Sequence, residues 1–378
     1  MPLAHVAIPA RFLHPGPTAG LGRYSRAVVR ALALLQPEVR FTVLVDRRFD
    51  LVGYPPNVTP QWVPLPARHP VLYYAWYHYA LPRALRYLGA QAVFVPEPFA
   101  IGGTVLPQVL TVHDLAFWAY PKTKDPANRW YYRWRVPRDL AQAAAVVSIS
   151  EATTLELTTA YPQLTPPVHT VPNGVDEDLA PAAPEAVAAA RAAFGLERPY
   201  FLTLSALEPR KNLVRLLQAF DSVVGEDFDF DLVVAGAWAW RYGPIQAAYR
   251  ALRNPGRVKL IGFVPETHLA GLYTGAYAFA YLSYYEGFGL PIAEAARCGT
   301  PALVGNLSSL PEVAGPGGHY VDPFSVPAIA AGLRHLASHS DYRDRLAAAA
   351  ADHSRRFTWQ ATAEGIWRAL VEAYSAGG

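Results

Sequence analysis

The chain has 378 residues, 52% hydrophobic and 17% charged, which is long enough for two cores and too apolar for a disordered chain. A net charge of +3 is too small to point to nucleic acid. One cysteine, Cys298, excludes an internal disulfide and a cysteine-based metal site, so a reducing cytoplasm is the expected compartment.

The first residues, MPLAHVAIPARFLHPG, lack a basic head followed by a long apolar run, so no targeting segment is read there. The most apolar long stretch, residues 71–90, is broken by His78, Pro82, Arg83 and Arg86, so no membrane span is expected. A soluble, at most peripheral, protein follows. Short apolar runs then alternate with longer amphipathic stretches. HVAIP, FTVLV, AVFVP, QVLTV and AVVSIS read as buried strands. Ser150 is placed to cap the helix EATTLELTTAY, with Glu151 at its positive end. A Pro- and Ala-rich segment, 171–200, reads as a hinge, and the alternation restarts with YFLTLS, FDLVVAG, VKLIG, AFAYL and PALVG. Strands separated by helices, in two runs, predict an α/β chain of two doubly wound parallel-sheet domains.

In such domains ligands bind outside the carboxyl ends of the strands, so candidate residues are sought there. Gly20 and Gly22 precede an amphipathic helix with Val28, Val29, Leu32 and Leu35 on its inner face. Glycines at a helix start let backbone N–H groups approach an anion, although Ser25 replaces the third glycine of a dinucleotide fingerprint and, taken alone, the loop reads first as a structural turn. His113 and Asp114 follow QVLTV, where a histidine can donate to a substrate hydroxyl or move a proton, or simply cap a turn that Asp114 initiates. After YFLTLS come Glu208, Pro209, Arg210, Lys211 and Asn212, ahead of a helix with Leu213, Leu216, Leu217 and Phe220 inward. Adjacent Arg and Lys at the mouth of a parallel sheet suit a diphosphate, and a solvated basic turn is the alternative.

The stretch EGFGLPIAE (286–294) follows AFAYLSYY. Pro291 fits the first turn of a helix running to about Cys298 and stopped by Gly299, with Glu294 expected in that first turn. Gly287, Phe288, Gly289 and Leu290 then present N–H groups at the positive helix end, and Glu286 stands ahead of it. A helix start attracts phosphate, while flanking carboxylates accept from vicinal hydroxyls. A sugar nucleotide offers both groups.

Three patterns point less clearly. The triplets DED (176–178) and DFD (227–229) match a metal-binding Asp-x-Asp spacing but lie in linker-like and loop-like contexts. HSRRF (353–357) reads as a solvated helix end. The aromatic and basic segments 73–87 and 128–140 read first as core helices, with an acceptor groove and a bilayer surface as the alternatives.

Together EGFGLPIAEAARCGTP, ALEPRKN, VHDLAF and VPNGVD resemble retaining glycosyltransferases of family 4, over nearly all the chain from about residue 16 to 374. GLGRYSRAVVRAL, VHDLAF and LEPRKN look most like bacterial mannosyltransferases of polysaccharide and O-antigen assembly. The resemblance implies a GT-B fold, two Rossmann-like domains facing across a crevice. Residues 1–175 would form the acceptor domain, 176–357 the nucleotide-sugar domain, and 358–378 a helix crossing back to the first. It implies that Arg210 and Lys211 hold the donor diphosphate and stabilise the departing nucleotide. Glu286 would bind hexose hydroxyls with N–H groups around Phe288, Gly289 and Leu290, and Glu294 the ribose. His113 would contact the hexose, with Asp114 beside it, and the Gly20–Gly22 loop the phosphates or acceptor. That loop departs from the family's usual adjacent glycine pair, since Leu21 intervenes.

The implied reaction moves a hexose, mannose from GDP-mannose in the first instance, to a saccharide or lipid-linked acceptor. Anomeric configuration is retained and neither metal nor other cofactor is required. Alternatives are a UDP-sugar-dependent transferase of the same family, a sugar-nucleotide epimerase, and a non-catalytic sugar-nucleotide-binding protein. The expected place is the cytoplasm, with possible peripheral contact at the inner face of the membrane. Base, hexose, acceptor and oligomeric state are not legible.

Overall fold

Each apolar run read as a strand is one in the structure, a computed structural model that describes residues 2–13, 20–48, 51–65, 67, 70–120, 126–225 and 227–377. The strands are β1 (His5–Pro9), β2 (Arg40–Val45), β3 (Val58–Trp62), β4 (Ala92–Val95), β5 (Gln108–Val112), β6 (Ala145–Ser148) and β7 (Val168–Thr170). A second series comprises β8 (Tyr200–Leu204), β9 (Asp231–Ala235), β10 (Val258–Gly262), β11 (Ala278–Tyr281), β12 (Ala302–Gly305) and β13 (Gly318–Val321). Strands β3, β7 and β13 go beyond the sequence reading. Strand β3, VTPQW, is largely exposed and carries Pro60, which only an edge strand tolerates.

The chain divides into two units, Met1–Gly174 with Thr358–Gly378, and Val175–Phe357. The first holds a sheet in the order β3-β2-β1-β4-β5-β6-β7, and the second a sheet in the order β10-β9-β8-β11-β12-β13. Neighbouring strands are parallel throughout both. In each sheet the order reverses once, between β1 and β4 and between β8 and β11. Those reversals are the switch points at which doubly wound sheets open a cleft at their carboxyl ends.

Both sheets are buried on their faces. In the first unit Val93, Val95, Leu110, Val112 and Val146 pack with Trp76, Tyr77 and Leu81. In the second, Phe201, Leu232, Val234, Ala278 and Ala280 pack with Leu213, Leu216, Leu217 and Phe220, the inward face expected of the Leu213–Val223 helix. The helix Trp359–Gly377 returns to the first unit, burying Ile366, Ala369 and Leu370, and Gln91 Nε2 donates to its Tyr374 hydroxyl at 3.1 Å. Ser150 caps the Glu151–Ala160 helix as its sequence predicts, its hydroxyl accepting from Thr153 N at 3.0 Å.

Three local expectations are corrected. The segment 171–200 read as a hinge does hold the division between the units, at Gly174 and Val175, but its later part is a helix of the second unit, Pro184–Ala193, because alanine is a strong helix former and Pro184 sits in its first turn. The helix after the glycine loop begins at Leu21, so Gly22 lies inside it, buried, and Leu35 is only half-buried. Pro17, Thr18 and Ala19 of that loop lie outside the described residues. Glu294 lies in the second turn of the Leu290–Arg297 helix, not the first.

The aromatic and basic segments split between interior and surface. Arg135 is 1% exposed, ion-paired to Asp139 at 2.7 Å and surrounded by the rings of Tyr73, Tyr74, Tyr77, Phe99 and Tyr131. Trp130 and Trp134 are outside, stacked at 6.0 Å. Among the described residues no helix is long and apolar enough to cross a membrane.

Candidate functional site

The loops after β8 and β11 flank the switch point of the second sheet, and they carry the densest charge cluster there. After β8 the chain makes one 3-10 turn, Pro209–Lys211, and reverses at Asn212 in the left-handed region. Asn212 is buried, and its amide donates to Leu282 O at 3.0 Å and Pro323 O at 2.7 Å. It thereby ties the turn to the segment after β11. Arg210 O accepts from Tyr284 N at 3.0 Å, a second tie between the same two loops.

These ties bring Arg210 and Lys211 onto Glu286. Lys211 Nζ lies 2.6 Å from Glu286 Oε1 and Arg210 Nη1 2.8 Å from Oε2. The Tyr281 hydroxyl also donates to Oε1 at 3.0 Å and accepts from Lys211 Nζ at 3.0 Å. Burial first, and then Glu286, pushes that hydroxyl up to about 12, so it stays protonated and able to donate. On its other edge Arg210 meets Glu208 Oε1 at 2.9 Å, and Glu208 Oε2 accepts from Trp240 Nε1 at 2.6 Å. Two cations are thus matched by two carboxylates, and the cluster is neutral as it stands.

Burial opposes the charge on Glu286, but Lys211 and then Arg210 overcome it and hold the carboxyl down at about 2. Burial likewise disfavours the Lys211 ammonium, and Glu286 reverses the balance and raises its pKa. A carboxylate with a depressed folded-state pKa adds stability that is present above its ordinary 4.5 and is lost as the pH falls towards 2. Thermal melting of the protein is therefore expected to weaken across that window, more steeply than for Glu286→Gln. Parallel pH profiles for the two proteins would overturn this.

The backbone of the 286–289 loop is held by residues that sequence reasoning missed. Ser309, fully buried, donates to Glu286 O at 3.0 Å and Phe288 O at 2.7 Å, and Ser308 accepts from Glu286 N at 3.2 Å. Their only signal is position, directly after β12. Gly289 precedes the helix with φ +99°, a conformation that favours glycine, and a Cβ there would press on Leu310. Phe288 is buried edge-on against Phe357 at 5.3 Å. Leu290 and Pro291 open the helix, whose first turn carries no acidic residue, so its positive end is not neutralised from within. Glu294 is 2% exposed and its Oε2 accepts from Tyr273 at 2.8 Å. Cys298 is buried, and burial above all pushes its thiol up to about 12, so it is an inert packing group.

In the first unit His113 follows β5, as its sequence position predicts, but its donor is already used. Pro96 O lies 3.0 Å from Nε2 and can only accept, so Nε2 carries the proton and Nδ1 is left as the acceptor of the neutral ring. Burial lowers its pKa against the opposing pull of Pro96 O, Asp114 and Glu97, which keeps that ring neutral at pH 7. Tyr24 stands edge-on to it at 4.6 Å. Asp114 Oδ1 accepts from Ala116 N at 3.0 Å, the turn-initiating role. Gly20 occupies the position before the Leu21–Leu35 helix. Sequence reasoning passed over Arg11 and Glu97, which fill the first sheet's switch point as a two-pronged pair, Nη2–Oε2 at 2.7 Å and Nε–Oε1 at 3.0 Å. Tyr73 and Tyr77 both donate to that carboxylate at 3.4 Å.

Of the acidic triplets, Asp229 is taken by Arg257 at 2.9 Å and Arg198 at 3.2 Å. Among the described residues no group of three His, Cys, Asp or Glu is arranged to hold a metal ion.

Comparison with known proteins bears on the family and the fold. The family described as Glycosyl transferases group 1 matches residues 188–353, and Glycosyltransferase Family 4 matches residues 18–179. The O-antigen chain mannosyltransferase B of Escherichia coli is 28% identical over 67% of this chain and 67% of its own length. The Serotype-specific mannosyltransferase WbdA of Escherichia coli is 28% identical over 65% of this chain, but the match spans only 31% of that longer protein. The sucrose-phosphate synthase from Thermosynechococcus elongatus superposes with a TM-score of 0.80 at 18% identity, covering 99% of this chain and 100% of that one. The likeness shows the fold, and the fold is GT-B.

Proposed function

Because the chain belongs to glycosyltransferase family 4, we propose that it transfers a hexose, mannose from GDP-mannose as the first candidate, to a saccharide or lipid-linked saccharide during cell-surface polysaccharide assembly. The observation that carries this reading is the Glu286 carboxylate, fixed by Lys211 and Arg210 ahead of a helix start at the switch point. The mannosyl choice rests on the names of the relatives.

In this reading Glu286 accepts from hydroxyls of the hexose, and Glu294 from those of the ribose. Arg210, Lys211 and the N–H groups at the start of the Leu290–Arg297 helix face the diphosphate. The bond from the anomeric carbon to the diphosphate oxygen breaks, and negative charge grows on that oxygen. Preorganised donors stabilise the charge where it appears, which is the largest single contribution such a site can make. The acceptor hydroxyl forms its bond on the face the diphosphate leaves, so configuration is retained, and its proton passes to a departing phosphate oxygen. His113, neutral and with Nδ1 as its acceptor, is suited to take a hydrogen bond from a sugar hydroxyl.

The test is nucleotide release by the purified protein from GDP-mannose, UDP-glucose and UDP-N-acetylglucosamine, with and without oligosaccharide acceptors. Acceptor-stimulated release of GDP from GDP-mannose is expected. Release of UDP instead would overturn the mannosyl assignment, and release from no donor would overturn the transferase reading.

A further inference from the structure

The residues assigned above serve the hexose, the diphosphate and the ribose, and none of them offers a surface to the flat base. The loop after β9, AWAWRYG (237–243), does. Trp238 is 42% exposed, Trp240 37% and Tyr242 38%, although aromatic side chains of this size are usually well buried. Trp238 and Tyr242 stand 5.2 Å apart, and Arg241 lies over the Trp240 ring at 5.5 Å.

The loop is held firmly at the carboxyl edge of the sheet. Leu207 N donates to Ala237 O at 2.9 Å and Ala239 N to Leu207 O at 3.2 Å, which laces it to the segment after β8. At its root Gly236 has φ +132°, and a Cβ there would run into the Ser205 carbonyl oxygen, so the close approach requires glycine. At its tip Arg241 holds φ +53°, a left-handed conformation that costs energy for any residue with a side chain and that clusters at ligand sites. The loop also joins the charge cluster chemically: Trp240 donates to Glu208, Glu208 takes Arg210, and Arg210 takes Glu286.

We propose that Trp238 and Tyr242, supported by Trp240 and Arg241, form the stacking platform for the heteroaromatic base of the nucleotide donor. The inference rests on the nucleotide-sugar reading above. A π-face accepts purine and pyrimidine alike, so the platform sets affinity for the nucleotide while leaving the choice of base to hydrogen bonds elsewhere. Trp240 acts as a positioning residue, coupling the base to the diphosphate cluster through Glu208.

Calorimetric titration of the full chain with GDP and with UDP tests this. Wild-type protein is expected to bind at least one of them, and Trp238→Ala with Tyr242→Ala to weaken that binding by about tenfold or more. Trp238→Phe with Tyr242→Phe, which keeps two flat rings, is expected to restore affinity to within a few-fold. Both substituted positions are exposed, and an unchanged melting temperature confirms the fold. If wild type binds neither nucleotide, the donor reading itself fails. If it binds and the alanine variant binds equally well, the platform fails. A raised acceptor KM with unchanged nucleotide affinity would move the platform to the acceptor and overturn its assignment to the base.

Discussion

Replacing Glu286 by alanine is expected to lower kcat by about a hundredfold or more, the range found when a preorganised polar group is removed from a transition-state site. The change does two things at once. It removes the acceptors offered to the hexose, and it strips Lys211 and Arg210 of the carboxylate that fixes both at bonding distance. Glu286→Gln separates these effects, because the amide keeps an oxygen for Tyr281 or the sugar but no longer carries the charge that positions the cations. If the carboxylate acts mainly by placing the cations, the glutamine variant loses kcat nearly as far as alanine while its donor KM changes little. Turnover of the alanine variant within about threefold of wild type, measured at saturating donor, would remove Glu286 from the mechanism.

Asp139→Ala is expected to be the most destabilising single change in the first unit. Arg135 is 1% exposed and Asp139 6%, and Asp139 also accepts from Ala100 N at 3.1 Å. Removing the carboxylate strands a guanidinium among five aromatic rings. Breaking one side of a buried pair costs about 3–5 kcal/mol. For a unit of this size the melting temperature should fall by roughly 10 °C. Burial pushes the Asp139 carboxyl up to about 6 in spite of Arg135, so desolvation outweighs pairing for the carboxylate even with its partner present. The double change Arg135→Met with Asp139→Leu, which removes both charges, should recover much of the loss. A double variant no more stable than Asp139→Ala would overturn the account.

The sequence was most legible where local pattern and position sufficed. Strand-end placement found Arg210, Lys211, Glu286 and His113, since a parallel sheet puts chemistry in the residues after its strands. Pairing was not legible: Lys211 and Glu286 are 75 residues apart, and Arg11 and Glu97 are 86 apart, so only the fold brings them together. The His113 proton was hidden for the same reason, because it depends on a carbonyl of the β4–β5 connection. The Pro184–Ala193 helix was misread because proline and alanine look linker-like in composition, although proline opens helices and alanine extends them. Strands β3 and β13 lack an apolar run, one exposed at an edge and one built on GHYV. Ser308 and Ser309 act on backbone atoms of a distant loop, which leaves no pattern in composition or period.

The neutrality of the Glu208–Arg210–Glu286–Lys211 cluster bears on selectivity in a crowded anionic milieu. A mouth lined with unmatched cations captures inorganic phosphate, free nucleotides and polyanions alike. Here the protein carries its own counter-ions, so a bare anion gains little on arrival and must compete with two carboxylates already in place. A ligand that brings hydroxyls for those carboxylates together with phosphate for the cations satisfies every member of the cluster at once. On the proposed reading of this cluster as the donor site, its own counter-ions favour a sugar nucleotide over a simple anion.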